Sequence, residues 1–233
     1  MYLIIYLGEF QMNTLMNPPV ATLLAQLFVE ADTTKATVMQ KMAEFSPEEL
    51  DALKGIDNYR KVYAEMKDFH LAVSRETAAL LYLLARSSGA RSIIEFGTSF
   101  GISTLHLGAA LKDNGGGRLI GTEFEPSKVT WARKNIAAAG LSDVVEIREG
   151  DALETLADNL PETIDLVLLD GAKALYSPVL SLLESRLRTG AIIIADNADW
   201  NPDYLAKVRS STGGYFSVPF ADDVELSIKL DKP

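Results

Sequence analysis

Acidic residues stand at the ends of five short apolar segments of this 233-residue chain. The segments are spaced like successive strands of one sheet, and the carboxylates are Glu95, Glu123, Asp151, Asp170 and Asp196. The carboxyl ends of parallel strands meet at one edge of a sheet, where open α/β sheets bind their ligands. One or two of these residues would be explained as helix N-caps, Asp151 especially. Five together predict a functional site at this edge.

A turn of small residues, Gly97 to Gly101, follows the first of these segments and precedes a helical pattern over 102–111. Glycine lets the backbone approach a ligand closely, and the free N–H groups of a helix N-terminus attract an anionic group. The glycines alone are equally compatible with an ordinary turn between strand and helix. Their spacing, Glu95-x-Gly97-x-Ser99-x-Gly101, is not the one that packs a pyrophosphate.

Glu123 lies roughly twenty residues beyond the glycine turn, where an acidic side chain accepts the hydroxyls of a ribose. A cofactor with a ribose and an amino-acid carboxylate but no pyrophosphate is S-adenosylmethionine. We expect Ser99 and the turn amides at its carboxylate and Asp151 at its adenine amine. The predicted cofactor-binding residues are Glu95, Gly97, Ser99, Gly101, Glu123 and Asp151.

A second group of polar side chains, Asp170, Asp196 and Asn197, follows the fourth and fifth predicted strands. Adjacent parallel strands lie roughly 4.8 Å apart, so side chains at their ends can converge. Two carboxylates and an amide are hard oxygen ligands, suited to Mg²⁺, or to Ca²⁺ or Mn²⁺ in its place. Asp196-Asn197 alone would be explained as a polar turn, but Asp170 beside it favours a metal site.

Strands and helices alternate along the chain, which predicts a doubly wound, mostly parallel α/β sheet with helices on both faces. The predicted strands are 92–96, 118–123, 144–148, 164–169 and 191–195, followed by an antiparallel pair at 215–218 and 224–230. The predicted helices are 20–30, 46–54, 75–86, 102–111, 126–139, a short one from 152, and 178–188. The helices before the first strand form an N-terminal cap over residues 1–73, with the main domain over 74–233.

Composition limits the possible partners. The formal net charge of -10 argues against nucleic acid or an anionic membrane, because phosphate binding needs clustered Lys and Arg. The chain has no cysteine, which excludes thiol catalysis and Cys-ligated zinc and fits a cytoplasmic protein. The apolar opening from Tyr2 to Leu7 is far short of a membrane span. Exposed, it would be a sticky patch, so we predict a homodimer that uses it as contact area.

Three runs of sequence resemble known enzymes. The run from Ile94 to Leu105 resembles the first motif of class I methyltransferases. The runs 169–176 (Leu-Asp-Gly-Ala-Lys-Ala-Leu-Tyr) and 195–200 (Ala-Asp-Asn-Ala-Asp-Trp) resemble the cation-dependent O-methyltransferases of the catechol and caffeoyl-CoA type. The resemblance implies a seven-stranded methyltransferase domain. It implies that Asp170, Asp196 and Asn197 bind the metal and that Lys173, with Asp170, is catalytic as the proposed base.

Two departures from that family bear on the substrate. Asn201-Pro202 stands where the plant enzymes have glycine, and no residue near Phe216 matches the glutamate that grips the second hydroxyl in the animal catechol enzyme. Tyr176 and Trp200 are predicted to line an aromatic substrate pocket, although Tyr176 is equally suited to the core. Methylation of a small, catechol-like phenol is therefore the predicted function. A module that binds S-adenosylmethionine without turnover and a nucleotide-dependent dehydrogenase are the alternatives.

Overall fold

The computed structural model describes residues 13–46 and 59–231. Its centre is a seven-stranded sheet in the order β3-β2-β1-β4-β5-β7-β6, in which β7 alone runs antiparallel to the other strands and pairs with β5 and β6. The strands are β1 Ser92–Phe96, β2 Arg118–Glu123, β3 Val145–Glu149, β4 Ile164–Leu169, β5 Leu187–Ala195, β6 Tyr215–Phe220 and β7 Val224–Lys229. This confirms the predicted doubly wound α/β sheet with an antiparallel C-terminal pair.

Eight α-helices are described, and most begin where the sequence predicts. They are α1 Val20–Ala43, α2 Tyr59–Glu65, α3 Arg75–Ser87, α4 Ile102–Asp113, α5 Pro126–Ala138, α6 Ala152–Thr155, α7 Tyr176–Leu183 and α8 Pro202–Arg209. Ser74 caps α3 by accepting the main-chain N–H of Thr77, as Ser, Asp and Asn commonly do at helix starts.

Several elements differ from the prediction, and two helices, α2 and α8, were not predicted. Helix α1 continues past Glu30 to Ala43. Its second half is polar and lacks the apolar spacing that predicts a helix, so the predicted helix ended too early. Helix α7 ends at Leu183 instead of near Arg188, since Leu187 already pairs with Ile164 in the sheet. Helix α8 was not predicted at all, although Asn201 caps it and Pro202 opens it.

The central strands are buried on both faces, which explains their unbroken apolar sequences. Ile93 and Leu166 face a core built with α1, α3, α4 and α5. Ile94 and Val167 face the opposite core, built with α6, α7 and α8. Each fully buried aliphatic side chain contributes roughly 1.5–3 kcal/mol to stability. The edge of the sheet at the carboxyl ends of these strands is consequently a rigid support for the loops that follow them.

The strand register brings the predicted site residues to one edge. Phe96 pairs with Leu169, and Leu169 pairs with Ala195, so Gly97, Asp170 and Asp196 follow at the same level. Strand β1 lies between β2 and β4, and the chain direction through the sheet reverses there. Such a switch point leaves a crevice at the carboxyl ends of the strands.

Some predictions fall outside the described ranges. The apolar opening at residues 1–12 and the helix predicted at 46–54 are among them, so the homodimer and its contact segment stay predictions, as does the domain division at residue 73. In residues 13–46 and 59–231, no helix is long and apolar enough to cross a membrane.

Asp165 anchors the start of β1 from the neighbouring strand. Its carboxylate accepts the main-chain N–H groups of Arg91 and Ser92 at 2.8 and 3.0 Å and the Nε–H of Arg188 at 2.6 Å. Burial by itself would raise the pKa of Asp165, but these hydrogen bonds outweigh it and lower the pKa. The stabilisation is therefore present at neutral pH and lost as the pH falls through the folded-state pKa.

We expect Asp165→Asn to lower the free energy of unfolding by about 1–2 kcal/mol at pH 7, because a charged acceptor of three hydrogen bonds is lost. Urea denaturation at a series of pH values checks this, and the difference from wild type should shrink towards pH 3. The exposed Glu162 offers a matched control, Glu162→Gln. A difference independent of pH would contradict the assigned role of the carboxylate.

Candidate active site

A cavity of about 250 Å³ lies at the carboxyl ends of the parallel strands, and its wall includes α2 residues such as Tyr63. Nine of the twelve predicted site residues line it: Gly97, Ser99, Glu123, Asp151, Asp170, Lys173, Asp196, Asn197 and Trp200. The structure therefore brings most of the predicted site together. The remaining three, Glu95, Gly101 and Tyr176, are not among the lining residues.

Glu95 supports the glycine turn from beneath. Its buried carboxylate accepts hydroxyl hydrogen bonds from Ser103 at 2.6 Å, Thr104 at 2.5 Å and Thr98 at 3.0 Å. Burial raises the pKa of Glu95, and the three hydroxyls oppose that rise. The prediction that Glu95 faces the crevice is therefore wrong, since its oxygens are turned to the loop. Gly101 adopts a left-handed φ of 94° and begins α4.

Glu123 is held rigidly at the end of β2. One carboxylate oxygen accepts the N–H of Ser99 at 2.9 Å, and the other accepts the N–H of Glu125 at 3.0 Å. Ser99 has a left-handed φ of 49°, and its buried Oγ has no hydrogen-bond partner among the described residues. An acceptor-only carboxylate beside an orphaned hydroxyl fits a ligand that brings hydroxyl and carboxylate groups, as S-adenosylmethionine does.

Asp151 lies on the rim of the cavity after β3. Its carboxylate caps α6 by accepting the N–H of Leu153 at 2.9 Å. It also forms an ion pair with Arg60 of α2, whose side chain is 64 % exposed. The predicted adenine contact would therefore share this carboxylate with two protein partners.

Asp170 and Asp196 follow the paired residues Leu169 and Ala195 and so are neighbours at the ends of β4 and β5. Burial and the neighbouring carboxylate raise the pKa of Asp196 to about 8, and burial also raises that of Asp170. Two buried carboxylates this close require a proton or a cation between them.

Asn197 completes the predicted metal set. Its Nδ2 donates to Asp223 at 2.7 Å, which leaves Oδ1 as the group available to a ligand. In the described ranges, no group of three or more His, Cys, Asp and Glu side chains could hold a metal ion. Two carboxylates and one amide nevertheless fit a hard divalent ion that keeps water ligands.

Lys173 connects the acidic pair to Tyr176. Its Nζ donates to Oδ1 of Asp170 at 3.0 Å and to the Tyr176 hydroxyl at 2.9 Å. Burial would lower the pKa of Lys173, but Tyr176, Asp170, Tyr63 and Asp196 together raise it well above its usual value. In this state Nζ therefore carries its proton.

Tyr176 is a core residue and not the predicted substrate contact. Its ring is fully buried, and its hydroxyl donates to the main-chain oxygen of Asp196 at 2.6 Å. The sequence was ambiguous because an aromatic residue at this position satisfies either role. Tyr176 instead fixes the Nζ of Lys173, while Trp200 does line the cavity.

Tyr63 and Lys128 are among the cavity-lining residues that the sequence analysis missed. Tyr63 lies on α2, and its hydroxyl donates to the carbonyl of Gly171 at 3.4 Å; no motif marks it. Lys128, on the first turn of α5, is 4 % exposed. A lysine beside a helix N-terminus is electrostatically unfavourable, and that signal could have identified it.

Residues 94–198 match the family model described as a methyltransferase domain. The matched range runs from β1 to the turn after β5 and includes the glycine turn, Glu123, Asp170 and Lys173. Residues 94–198 are therefore a methyltransferase domain. The predicted methyltransferase resemblance is confirmed for this domain, and its cation dependence stays a prediction.

Sequence relatives of this methyltransferase include two catechol O-methyltransferases. That of Niastella koreensis is 36% identical over 130 residues, covering 54% of this chain and 58% of the relative. Catechol O-methyltransferase B of Danio rerio is 33% identical over 173 residues, covering 71% of this chain and 64% of the relative. The chain spans less than two thirds of the length of these relatives.

Solved methyltransferase structures share the fold. The O-methyltransferase from Bacillus cereus, in complex with SAH, has a TM-score of 0.61 at 22% identity and covers 83% of this chain and 96% of its own. TomG from Streptomyces achromogenes, in complex with SAM, has a TM-score of 0.59 at 24% identity, with coverage of 84% and 96%. At such identities these structures support the methyltransferase fold alone.

The methyltransferase site depends on the absence of a side chain at Gly97. A Cβ there would lie 2.5 Å from the carbonyl carbon of Asp170, whereas one at Gly101 would meet nothing closer than 3.9 Å. Both glycines have left-handed φ angles, 98° and 94°. A substitution at either position therefore carries the same backbone strain, of roughly 1–2 kcal/mol, and only Gly97 adds a clash.

We expect Gly97→Ala to destabilise the protein by about 2 kcal/mol more than Gly101→Ala, because the main chain at Asp170 must move. Urea denaturation of both variants measures the difference. Equal losses would show that the approach of β1 to the Asp170 turn is not a constraint.

Proposed function

We propose that this chain transfers a methyl group from S-adenosylmethionine to an oxygen of a small vicinal dihydroxy aromatic compound, with the help of a divalent cation. The observation that carries the proposal is the contact of Lys173 with Asp170 and Tyr176, beside Asp196 and on the wall of a cavity that contains Glu123. A proton acceptor, an oxygen-ligand set and a ribose-binding carboxylate then share one enclosed space.

The cofactor would lie along the ends of β1, β2 and β3. Glu123 would accept its ribose hydroxyls, Ser99 Oγ would donate to its carboxylate, and Asp151 would lie at its adenine. Two fold relatives, from Bacillus cereus and Streptomyces achromogenes, are complexes with SAH and SAM. Asp170 and Lys173 line the same cavity and would lie with the methyl acceptor.

The cation would be held by Asp170, Asp196 and Oδ1 of Asn197. When bound, it would offset the charge of the two carboxylates and favour the deprotonated form of an acceptor hydroxyl. The raised pKa values of Asp170 and Asp196 support this, because they show a pair that is unstable as two bare carboxylates.

Lys173 would accept the proton of the acceptor hydroxyl, directly or through water. Negative neighbours keep its Nζ protonated now, while burial acts in the opposite direction. Once that negative field is offset, burial prevails and Nζ becomes a base. The Tyr176 hydroxyl holds Nζ in place throughout.

The methyl transfer itself would proceed in line. S-adenosylmethionine would supply the methyl group and leave as S-adenosylhomocysteine, while Lys173 would retain the proton of the acceptor hydroxyl. Much of the rate would come from holding the two reactants in contact geometry.

An acceptor with two adjacent oxygens would fit this site better than a simple phenol, because it could displace two water ligands of the cation. The aromatic wall at Trp200 suits a ring. A CoA ester is disfavoured, since residues 200–204 contain no Lys or Arg for its phosphates.

The predicted cytoplasmic location remains a prediction.

A binding module without turnover is the second candidate from the sequence. It would have no need of a buried lysine next to two carboxylates, and here Lys173, Asp170, Asp196 and Asn197 all line the cavity. The dehydrogenase alternative is disfavoured by the glycine spacing and by the family match over residues 94–198.

We expect Lys173→Met and Asp196→Asn each to lower kcat by roughly 10²-fold or more, because a proton acceptor or an ion ligand is lost. Chelation of divalent ions should abolish methyl transfer, and Mg²⁺ should restore it. S-adenosylhomocysteine should still bind Lys173→Met. Methyl-transfer assays with a catechol, together with calorimetry, measure both effects.

The matched control is Asp199→Asn, which removes an exposed carboxylate three residues further along and should leave kcat unchanged. Full turnover by extensively chelated protein would refute the role of the cation. An unchanged kcat in Lys173→Met would refute the role of the base.

The choice of acceptor gives a separate prediction. We expect kcat/KM to be highest for an uncharged or cationic catechol, lower for the matching phenol and lowest for caffeoyl-CoA. With no glutamate matched to the second hydroxyl, both catechol oxygens should be methylated in comparable amounts. Product analysis by chromatography checks the ratio, and a CoA ester ranking first would overturn the assignment.

A further inference from the structure

Lys128 places a buried ammonium on the cavity wall, where the proposed mechanism makes no use of it. The residue is 4 % exposed and lies on the first turn of α5, just after the cap residue Glu125. Among the described residues it forms no hydrogen bond and no ion pair, and its Nζ lies 5.7 Å from the ring centroid of Phe100. Helix dipole and burial both disfavour a cation there.

The charged groups that act on Lys128 are carboxylates. Burial lowers the pKa of Lys128, and Glu123 is the foremost of the carboxylates that oppose this, ahead of Glu125, Asp170 and Asp68. The ammonium therefore lies in the field of Glu123 without a direct ion pair to it. Both side chains line the cavity, so one ligand group there could contact the two of them.

Glu123 alone can pair with the hydroxyl protons of a ribose, but not with the lone pairs of its hydroxyl oxygens. Both its oxygens are fixed by main-chain N–H groups of Ser99 and Glu125, and the remaining lone pairs can accept the two hydroxyl protons. Each hydroxyl oxygen then still has lone pairs that need a donor. A carboxylate has none to offer, whereas an ammonium has three N–H donors and no acceptor.

We propose that Lys128 is a second ribose-binding residue of the cofactor site, and that its Nζ donates to a ribose hydroxyl oxygen whose proton Glu123 accepts. The inference rests on the proposed binding of S-adenosylmethionine. It accounts for the burial of a lysine at an unfavourable helix position, because the cofactor supplies the missing partner. Carboxylate and ammonium together match a vicinal diol on both its donor and acceptor sides.

The test is a comparison of ligands and variants by calorimetry. The ligands are S-adenosylhomocysteine and its 2′-deoxy and 3′-deoxy analogues, and the variants are Lys128→Met and Lys134→Met. Lys134 is an exposed lysine of the same helix, stacked 4.4 Å from the Trp131 ring centroid, and serves as the matched control.

We expect Lys128→Met to weaken S-adenosylhomocysteine about 10-fold or more, as for loss of a charged hydrogen bond. For the deoxy analogue that lacks the contacted hydroxyl, the same substitution should weaken binding by less than about 2-fold, because that hydrogen bond is already absent. Lys134→Met should change neither affinity. Lys128→Gln, which keeps an N–H donor, should recover part of the loss and covers the case of a poorly folded Met variant.

Equal weakening of all three ligands in the Lys128 variants would overturn the proposal, since Lys128 would then act only through the shape or charge of the cavity. Unchanged affinity for S-adenosylhomocysteine would overturn it as well. Wild-type protein that fails to bind S-adenosylhomocysteine at all would overturn the proposed function itself, so the two failures are distinguishable.

Discussion

The main-chain hydrogen bond from the amide of Asp170 to the carbonyl of Phe96, 2.8 Å long, is the contact on which the site depends. It continues the pairing of β1 with β4 by one residue and so places the glycine turn against the acidic turn. A second such bond, from Asp196 to Leu169 at 3.0 Å, extends the arrangement to β5. The glycine turn and the two acidic turns are thereby joined through backbone geometry, which does not depend on side-chain conformation.

The buried charges of the site reduce the stability of the folded protein. Asp170 and Asp196 share a buried space, and burial raises the pKa of both because it disfavours their charged forms. Lys173 offsets part of this negative charge, and Lys128 adds a second buried cation on the cavity wall. Functional sites commonly reduce stability in this way, and the surrounding core must compensate. Here the two apolar cores on either face of the sheet do so.

The sequence predicted the frame better than the details of the site. Short apolar segments that end at a glycine or an acidic residue are typical of buried strands. Strands β1, β2 and β4 occur over the ranges that this pattern predicted. Parallel pairing then collected Glu123, Asp170 and Asp196 at one edge without further assumptions. Side-chain direction could not be predicted, because it depends on contacts that form only in the folded chain. Glu95 binds three hydroxyls on the turn and helix that follow it, and Tyr176 binds the carbonyl of Asp196. Tyr63 belongs to a helix that no motif connects with the sheet.

Helix α2 touches the rim of the cavity at two places. Arg60 pairs with Asp151 beyond β3, and Tyr63 reaches Gly171 beyond β4. The two side chains are three residues apart and so share one face of the helix. Any displacement of α2 from the sheet would therefore break both contacts together. Under the proposed function, the adenine end and the acceptor end of the cavity would then open in a single event, which would link the residence times of spent cofactor and methylated product.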